Sequence, residues 1–407
     1  MPLVSIIMPV FNGIDGLYKC VSSLKNQTLH DIEIIMVDDG SNDGSDAYCD
    51  KLACLDKRIK VVHQKNLGSA VARKIGLRQA TGKYVTFVDV DDWIEQDLCA
   101  CLFEAAERYQ AELVIGEHFL DTNDVARRQR SILKPGWYSR NDLEEVVIPN
   151  LFHDDFYSGW SIYPYLCGKL FLRERLMPYM EYVKSDITLG DDVCVTFPYL
   201  LDAQSLVIVD KPLYHYVEIN NSQSHGRMRP ENLRGIRRVY ELILASLQRQ
   251  HCLEEEYVEK LRVYILTTML VPRFPWLMSK LLNQGNELPF FHIRNGSKVI
   301  IYGAGVFGRA LHEFLSESGF AEVILWLDAR ATSLRDEGYE VKTVQEVQSW
   351  PEYDFVIIPI MNKNIVKAVV KDLTKSGIVQ ERIRYLDEEY VKSEEVWQSF
   401  EMEAEDE

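Results

Sequence analysis

Short apolar runs separated by stretches of helical periodicity dominate the first hundred residues. Val4 to Val10 is apolar except at Ser5 and ends in Phe11-Asn12; Ile32 to Val37, Val61-Val62-His63 and Tyr84 to Val88 follow. Between them, Leu17 to Gln27 and the stretch that opens at Ser69 and runs through Leu77 carry helical spacing. Apolar runs of this length alternating with helices predict parallel strands covered by helices on both faces, an α/β sheet. Ligands of such sheets sit beyond the carboxyl ends of the strands. Three polar loops fall there: Asp38-Asp39-Gly40-Ser41-Asn42-Asp43-Gly44, the segment around Asn66-Leu67-Gly68, and Asp89-Val90-Asp91-Asp92.

The pattern changes after residue 220. Leu233 to Leu247 and Tyr257 to Leu270 read as helices. The most apolar stretch, Val263 to Met278, is broken by Pro272, Arg273 and Pro275, and it is too short for the roughly 20 apolar residues a bilayer span needs. A second strand-and-helix unit starts near Arg294. Lys298 to Tyr302 leads into Gly303-Ala304-Gly305-Val306-Phe307-Gly308, Val323 to Leu327 ends in Asp328, and Asp354 to Pro359 adds a later strand. Glycines at this spacing between a strand and a helix, with an acid further on, fit a dinucleotide-binding fingerprint. The expected organisation is residues 1–220 as a nucleotide-sugar domain, 221–292 as a helical linker or subdomain, 293–390 as a small Rossmann-like domain, and 391–407 as an acidic, solvated tail.

Three carboxylates in four residues, at the end of a hydrophobic strand, make a site suited to a hard divalent cation. Mg2+ or Mn2+ is commonly held by one or two carboxylates together with the phosphates of a substrate. A second acid pair, Asp191-Asp192, precedes the apolar run Val193 to Phe197. Read alone it is a helix cap or a pair whose mutual repulsion raises one pKa into the range of a proton acceptor.

Taken together, these motifs resemble the inverting glycosyltransferases of family 2, which have the GT-A fold, over about residues 2 to 220. The resemblance implies that Pro9, Phe11, Asn12, Asp38 and Asp39 surround the nucleoside base, with Asp39 accepting the uracil imide hydrogen. Cytosine offers no donor at that position, which favours UDP. It further implies that Asn66 and Arg73 approach the base and diphosphate, that Asp89 and Val90 lie against the nucleotide, and that Asp91 holds Mn2+ or Mg2+ with support from Asp92. Lys74 stands where the family usually has Asn. Asp191-Asp192 matches the family's Glu-Asp pair, with Asp192 as the base. Cys167 to Arg173 matches an acceptor-side segment. Pro212 to Tyr216 and Asn221 to His225 match a late loop closing on the diphosphate, with Ser222 and Ser224 as phosphate donors and His225 as a metal or phosphate contact. The C-terminal unit is similar to add-on domains of bacterial surface-sugar proteins, in which the glycines serve packing and turns.

Charge narrows the partners. A net charge of −17 over 407 residues argues against nucleic acid, whose phosphates call for clustered Lys and Arg. Eight cysteines without Cys-x-x-Cys pairs fit reduced packing residues. No leader pattern opens the chain, so a cytoplasmic location, with the inner face of the membrane as a place of work, is expected. The reading is therefore a metal-dependent enzyme moving a hexose, glucose or galactose with or without an N-acetyl group, from a UDP-sugar to a hydroxyl of a surface glycan, a glycopeptide such as a serine-rich adhesin, or a lipid-linked acceptor. Peripheral membrane contact and pairing into a homodimer are compatible with it. An NAD-dependent sugar-modifying enzyme using the C-terminal unit, and a non-catalytic binding scaffold, are the alternatives.

Overall fold

The computed structural model describes residues 1–122, 125–152, 161–184, 187, 189–218, 232–250, 255–271, 273, 287–336 and 338–406. Two compact units result. The described residues up to 218 form the first and those from 258 onward the second, while the helical stretch between is divided at residues 237 and 238. The middle helices thus do not form a unit of their own.

The first unit is a mixed sheet. Strands β1 (Val4–Val10), β2 (Ile32–Asp38), β3 (Ile59–His63) and β4 (Tyr84–Phe87) pair in parallel in the order β3-β2-β1-β4. They are joined through helices α1 (Ile14–Lys25), α2 (Ser45–Leu55) and α3 (Ser69–Gln79). Every residue of β1, β2 and β4 is buried, which is why they read as unbroken apolar runs. The expected all-parallel order ends at β4. A two-residue strand β5 (Trp93–Ile94), helix α4 (Leu98–Tyr109), and strands β6 (Leu113–Thr122), β7 (Val125–Gln129) and β8 (Gly136–Ser139) follow; then β9 (Lys169–Leu172) inserts antiparallel between β4 and β6. Some thirty residues separate β8 from β9, with helical turns over Arg140–Asn150. Strand β10 (Ser205–Val217) runs parallel to β6 and is bulged near Pro212, where the backbone has no N–H to donate. Pro212 to Tyr216, expected as part of a loop, is therefore strand.

Close approach of α1 to the acidic turn depends on two glycines. A Cβ on Gly13 would lie 2.6 Å from Val90 Cγ1, and one on Gly16 would lie 2.7 Å from the Val90 carbonyl oxygen. The acidic turn after β4 is thereby clamped against the first turns of α1.

The second unit carries a four-stranded parallel sheet: Lys298–Tyr302 at its centre beside Glu322–Leu327 on one side, with Phe355–Ile358 and Ile383–Tyr385 on the other. The final acidic stretch is not a solvated tail. Glu394–Asp406 is a helix in which Val396, Trp397 and Phe400 are buried, because apolar residues at this spacing share one face beneath the acids.

The glycine loop of this unit is tightly packed on itself. A Cβ on Gly308 would sit 2.0 Å from the Gly303 carbonyl oxygen, whereas one on Gly305 would meet nothing within 4 Å. Gly308→Ala is expected to lower stability by about 2 kcal/mol, since a well-packed backbone must move, and Gly305→Ala, at an ordinary φ of −72°, to change it little. Urea unfolding of both variants checks this; equal midpoints would refute the packing role.

Candidate functional site

Arg73 stands at the centre of the site. It sits on α3, whose Ala72, Arg73, Gly76 and Leu77 are buried. Its Nη2 donates to Asp89 Oδ1 at 2.8 Å, and its Nη1 donates to Asp191 Oδ2 at 2.9 Å and to Asp192 Oδ1 at 3.4 Å. Asp89 comes from the turn after β4, and Asp191 and Asp192 from the first turn of the helix Asp191–Asp202, after Gly190 in the left-handed region at φ +84°. The guanidinium is 6% exposed, and its Nε has no partner among the described residues. Arg73 was expected, with Asn66, to approach the base and diphosphate; among the described residues it is the cation that joins the two acidic motifs.

Among the described residues, five carboxyl groups, Asp89, Asp91, Asp92, Asp191 and Asp192, share this crevice with Arg73 and Lys169. Burial pushes Asp192 up to about 7, with Asp191 and Asp89 adding to the rise while Arg73 and Lys169 oppose it. Its side chain keeps one-fifth of its surface exposed, so a substrate hydroxyl can reach it. Lys169, 2% exposed, is brought down by burial to about 8, and its Nζ donates to the Tyr165 carbonyl. No role for Lys169 was assigned individually from sequence; a lysine within the apolar run Gly168 to Leu172 is the signal that could have done so.

Asp91 is the exposed member, and desolvation followed by the Asp89 charge holds it above the usual carboxylate value. It makes no ion pair among the described residues. Asp92 is used differently. The Tyr214 hydroxyl donates to its Oδ2 at 2.5 Å and the Val217 N–H to its Oδ1 at 2.8 Å, while the same hydroxyl accepts from the Asp89 N–H at 3.2 Å. Both oxygens of Asp92 accept a hydrogen bond from β10, which ties the acidic turn to that strand. Burial first, then Asp89, pushes Asp92 up to about 8.

On the nucleotide side, Asp39 is buried and pins the neighbouring loop. Its Oδ1 accepts from Gln64 Nε2 at 2.5 Å and Leu67 N at 2.8 Å, and its Oδ2 from Gly68 N at 2.8 Å. A carboxylate has about four acceptor positions, which leaves one free for a base. Phe11 is 39% exposed and Asn66 is exposed on the pinned loop, as a base-binding rim requires. Asn12, at φ +48°, accepts from Asn42 N through its side chain. Three candidates turn inward instead. Pro9 is buried in β1; Val90, 8% exposed, packs on Gly13; Asp38 accepts from Ser41 N and pairs with His63 Nδ1 at 2.9 Å. Each is held by the packing that shapes the loops. Lys74, the departure from the family pattern, pairs with Glu181 at 2.7 Å. Ser222, Ser224 and His225 lie outside the described residues.

A cavity of about 30 Å3 adjoins Lys169 and is lined by Gln129, Ser131, Tyr163, Tyr165 and Tyr216 among others. It has room for one or two waters and not for a sugar. His118 borders it, lowered by burial to about 4 and so neutral near pH 7.

Comparison with known proteins bears on family and fold. The sequence profile of glycosyl transferase family 2 matches residues 5–169, and that of the PglD N-terminal domain matches residues 298–373. Glycosyltransferase GlyA of Streptococcus pneumoniae is 33% identical over 214 residues, covering 52% of this chain and 30% of GlyA. EpsH of Bacillus subtilis, named as a glycosyltransferase, is 31% identical over 267 residues, covering 65% of this chain and 74% of EpsH. The match thus spans less than a third of GlyA and about three-quarters of EpsH. The crystal structure of S. aureus TarS superposes with a TM-score of 0.51 at 18% identity, over 66% of this chain and 43% of that one, which shows a shared fold.

The raised pKa of Asp92 has a signed consequence. The native chain keeps a proton on Asp92 up to about pH 8 that the unfolded chain releases near pH 4, so stability falls as pH rises through that window. Asp92→Asn, which can still accept from Val217 and meet Tyr214, is expected to flatten the decline between pH 5 and pH 8 in urea unfolding. A decline as steep as that of the parent chain would assign the proton to another group.

Proposed function

We propose that this chain, which belongs to glycosyltransferase family 2, transfers a hexose from a UDP-sugar to a hydroxyl group with inversion at the anomeric carbon. The observation that carries the reading is the convergence of Asp89, Asp191 and Asp192 on buried Arg73, beside a base-binding rim made by Phe11, Asp39 and Asn66. Asp192 meets the requirement for a general base, a proton affinity near the working pH on a group that stays accessible. It takes the acceptor's hydroxyl proton as that oxygen bonds to the anomeric carbon, and the bond from that carbon to the diphosphate breaks on the opposite side, releasing UDP. Arg73 fixes the base relative to Asp89, and Lys169 supplies a second positive charge near it.

The donor set fits a divalent cation. Among the described residues no group of three or more His, Cys, Asp or Glu forms a protein cage. Mg2+ and Mn2+ keep waters and share their coordination with substrate phosphates, so one exposed carboxylate can serve on the protein side. Asp91, exposed and without a cation of its own, is the residue that would hold the ion, with Asp92 steadying the turn. When bound, the ion neutralises charge that builds on the departing UDP.

The C-terminal unit is proposed to carry no chemistry and to serve acceptor recognition or protomer pairing. Asp328, the acid of the dinucleotide fingerprint, accepts from Ala304 N at 2.7 Å and from Arg330 N at 2.7 Å, so it ties down the glycine loop. That use favours transfer over the NAD-dependent alternative. Glucose or galactose as the sugar, and a surface glycan, glycopeptide or lipid-linked acceptor, belong to the same proposal. Among the described residues no helix is long and apolar enough to cross a membrane.

Two measurements test the chemistry. UDP affinity by calorimetry is expected to collapse with EDTA and in Asp91→Ala, and unchanged affinity in both removes the metal assignment. Asp192→Asn is expected to keep UDP-sugar binding while lowering transfer or slow donor hydrolysis by about 10²-fold or more, the usual contribution of a positioned base. A larger loss in Asp191→Asn at equal binding would move the role to that residue.

A further inference from the structure

Strand β5 ties the downstream end of the acidic turn to the sheet, and it is only two residues long. Trp93 follows Asp92 directly, and β5 pairs with β10 through Trp93 opposite His215 and Ile94 opposite Tyr214. A ladder this short has little hold of its own, so side chains across it must supply the rest.

His215 supplies it. It stands opposite Trp93 on one neighbouring strand and opposite Phe119 on the other, so the three side chains form a row on one face of the sheet. The imidazole, 4% exposed, stacks on the Trp93 ring with centroids 3.4 Å apart and on the Phe119 ring at 4.5 Å. Asp121 and Glu95, two positions on from Phe119 and Trp93, meet the ring nitrogens. Nδ1 lies 3.0 Å from Asp121 Oδ1, and Nε2 lies 3.1 Å from Glu95 Oε1. Carboxylate oxygens only accept, so both contacts are hydrogen bonds when each ring nitrogen carries a hydrogen. Trp93 Nε1 donates to Asp121 Oδ2 at 3.1 Å and closes the circuit.

This is a costly way to pack a sheet edge. An aliphatic residue in the same row would avoid withdrawing an imidazole and much of two acids from water. What the polar groups add is direction, because a ring stacked on Trp93 and bonded at both nitrogens fixes the rotation of that indole as well as its depth. We propose that His215 is a positioning residue for the metal-holding turn. It locks Trp93, two residues from Asp91, and so sets where the Asp91 carboxyl stands. Tyr214 and Val217, which flank it in β10, hold Asp92 from the same strand. Groups that orient a metal ligand from behind are worth about 10- to 100-fold in metal affinity. The inference rests on the proposed assignment of the divalent cation to Asp91.

The test is calorimetry of UDP binding to the full chain across a Mn2+ titration, with hydrogen exchange of residues 88–95 followed by mass spectrometry in the metal-free protein. His215→Phe keeps a stacking ring and removes both ring N–H groups. It is expected to raise the half-saturating Mn2+ by about tenfold, to recover the parent's UDP affinity at saturating Mn2+, and to speed exchange in the acidic turn. Glu95 keeps 39% of its side chain exposed, so Glu95→Ala carries the test where His215→Phe fails to fold. It should shift the Mn2+ requirement in the same direction, and Glu95→Gln, which still offers an oxygen to Nε2, should restore it. A parent that needs Mn2+ beside folded variants that need no more overturns the proposal, even where the variants melt earlier, because that outcome is packing alone. A parent that binds UDP without a metal overturns the Asp91 assignment, and this proposal with it.

Discussion

The buried guanidinium of Arg73 is the constraint around which the first unit is arranged. Its acid partners lie 16, 118 and 119 positions away along the chain, on a turn after β4 and on the first turn of a distant helix. Withdrawing such a cation from water costs several kcal/mol unless charge and hydrogen bonds replace the lost hydration. Conversely, Asp89, Asp191 and Asp192 could not crowd together without it. The sheet order β1-β4-β9-β6-β10 brings the acidic turn, Lys169 and Tyr214 to one region, and Arg73 holds Asp191 and Asp192 there.

Among the described residues the cluster holds more acids than bases. Burial first, with neighbouring carboxylates adding to it, raises the proton affinity of Asp192 and Asp92 far above the ordinary carboxylate range. The same excess serves opposite ends. Asp92, engaged by Tyr214 and Val217, turns it into a link between the acidic turn and β10, whereas at Asp192, one-fifth exposed, it supports the proposed role of proton acceptor. Asp91 leaves a carboxyl group open to solvent, where the proposed metal and diphosphate would meet it.

The second unit shows how one motif serves two ends. Its glycines stand where a dinucleotide loop would have them, yet Gly308 is needed because its α-carbon lies against the Gly303 carbonyl, and Asp328 accepts from the loop's Ala304 N–H and from Arg330 N–H in its own turn. The match to the PglD N-terminal domain over residues 298–373 agrees with a Rossmann-like add-on whose fingerprint alone does not define a cofactor.

Much of this protein was legible in the linear sequence because its chemistry is local. Strands buried on both faces are unbroken apolar runs, and the acids at their ends sit within a few residues of one another, so the α/β class, the acidic turn and the pair Asp191-Asp192 could be read directly. Three things could not. The direction of β9 depends on which sheet edge a thirty-residue excursion returns to. The inward turn of Asp38 and Val90 depends on His63 and Gly13, partners in other elements. The burial of Trp397 depends on a helix that its acidic neighbours disguise as a tail. Sequence determined which groups carry charge; only the tertiary structure decided which charges share a low-dielectric site, because burial and pairing join residues more than a hundred positions apart and no local pattern encodes that distance.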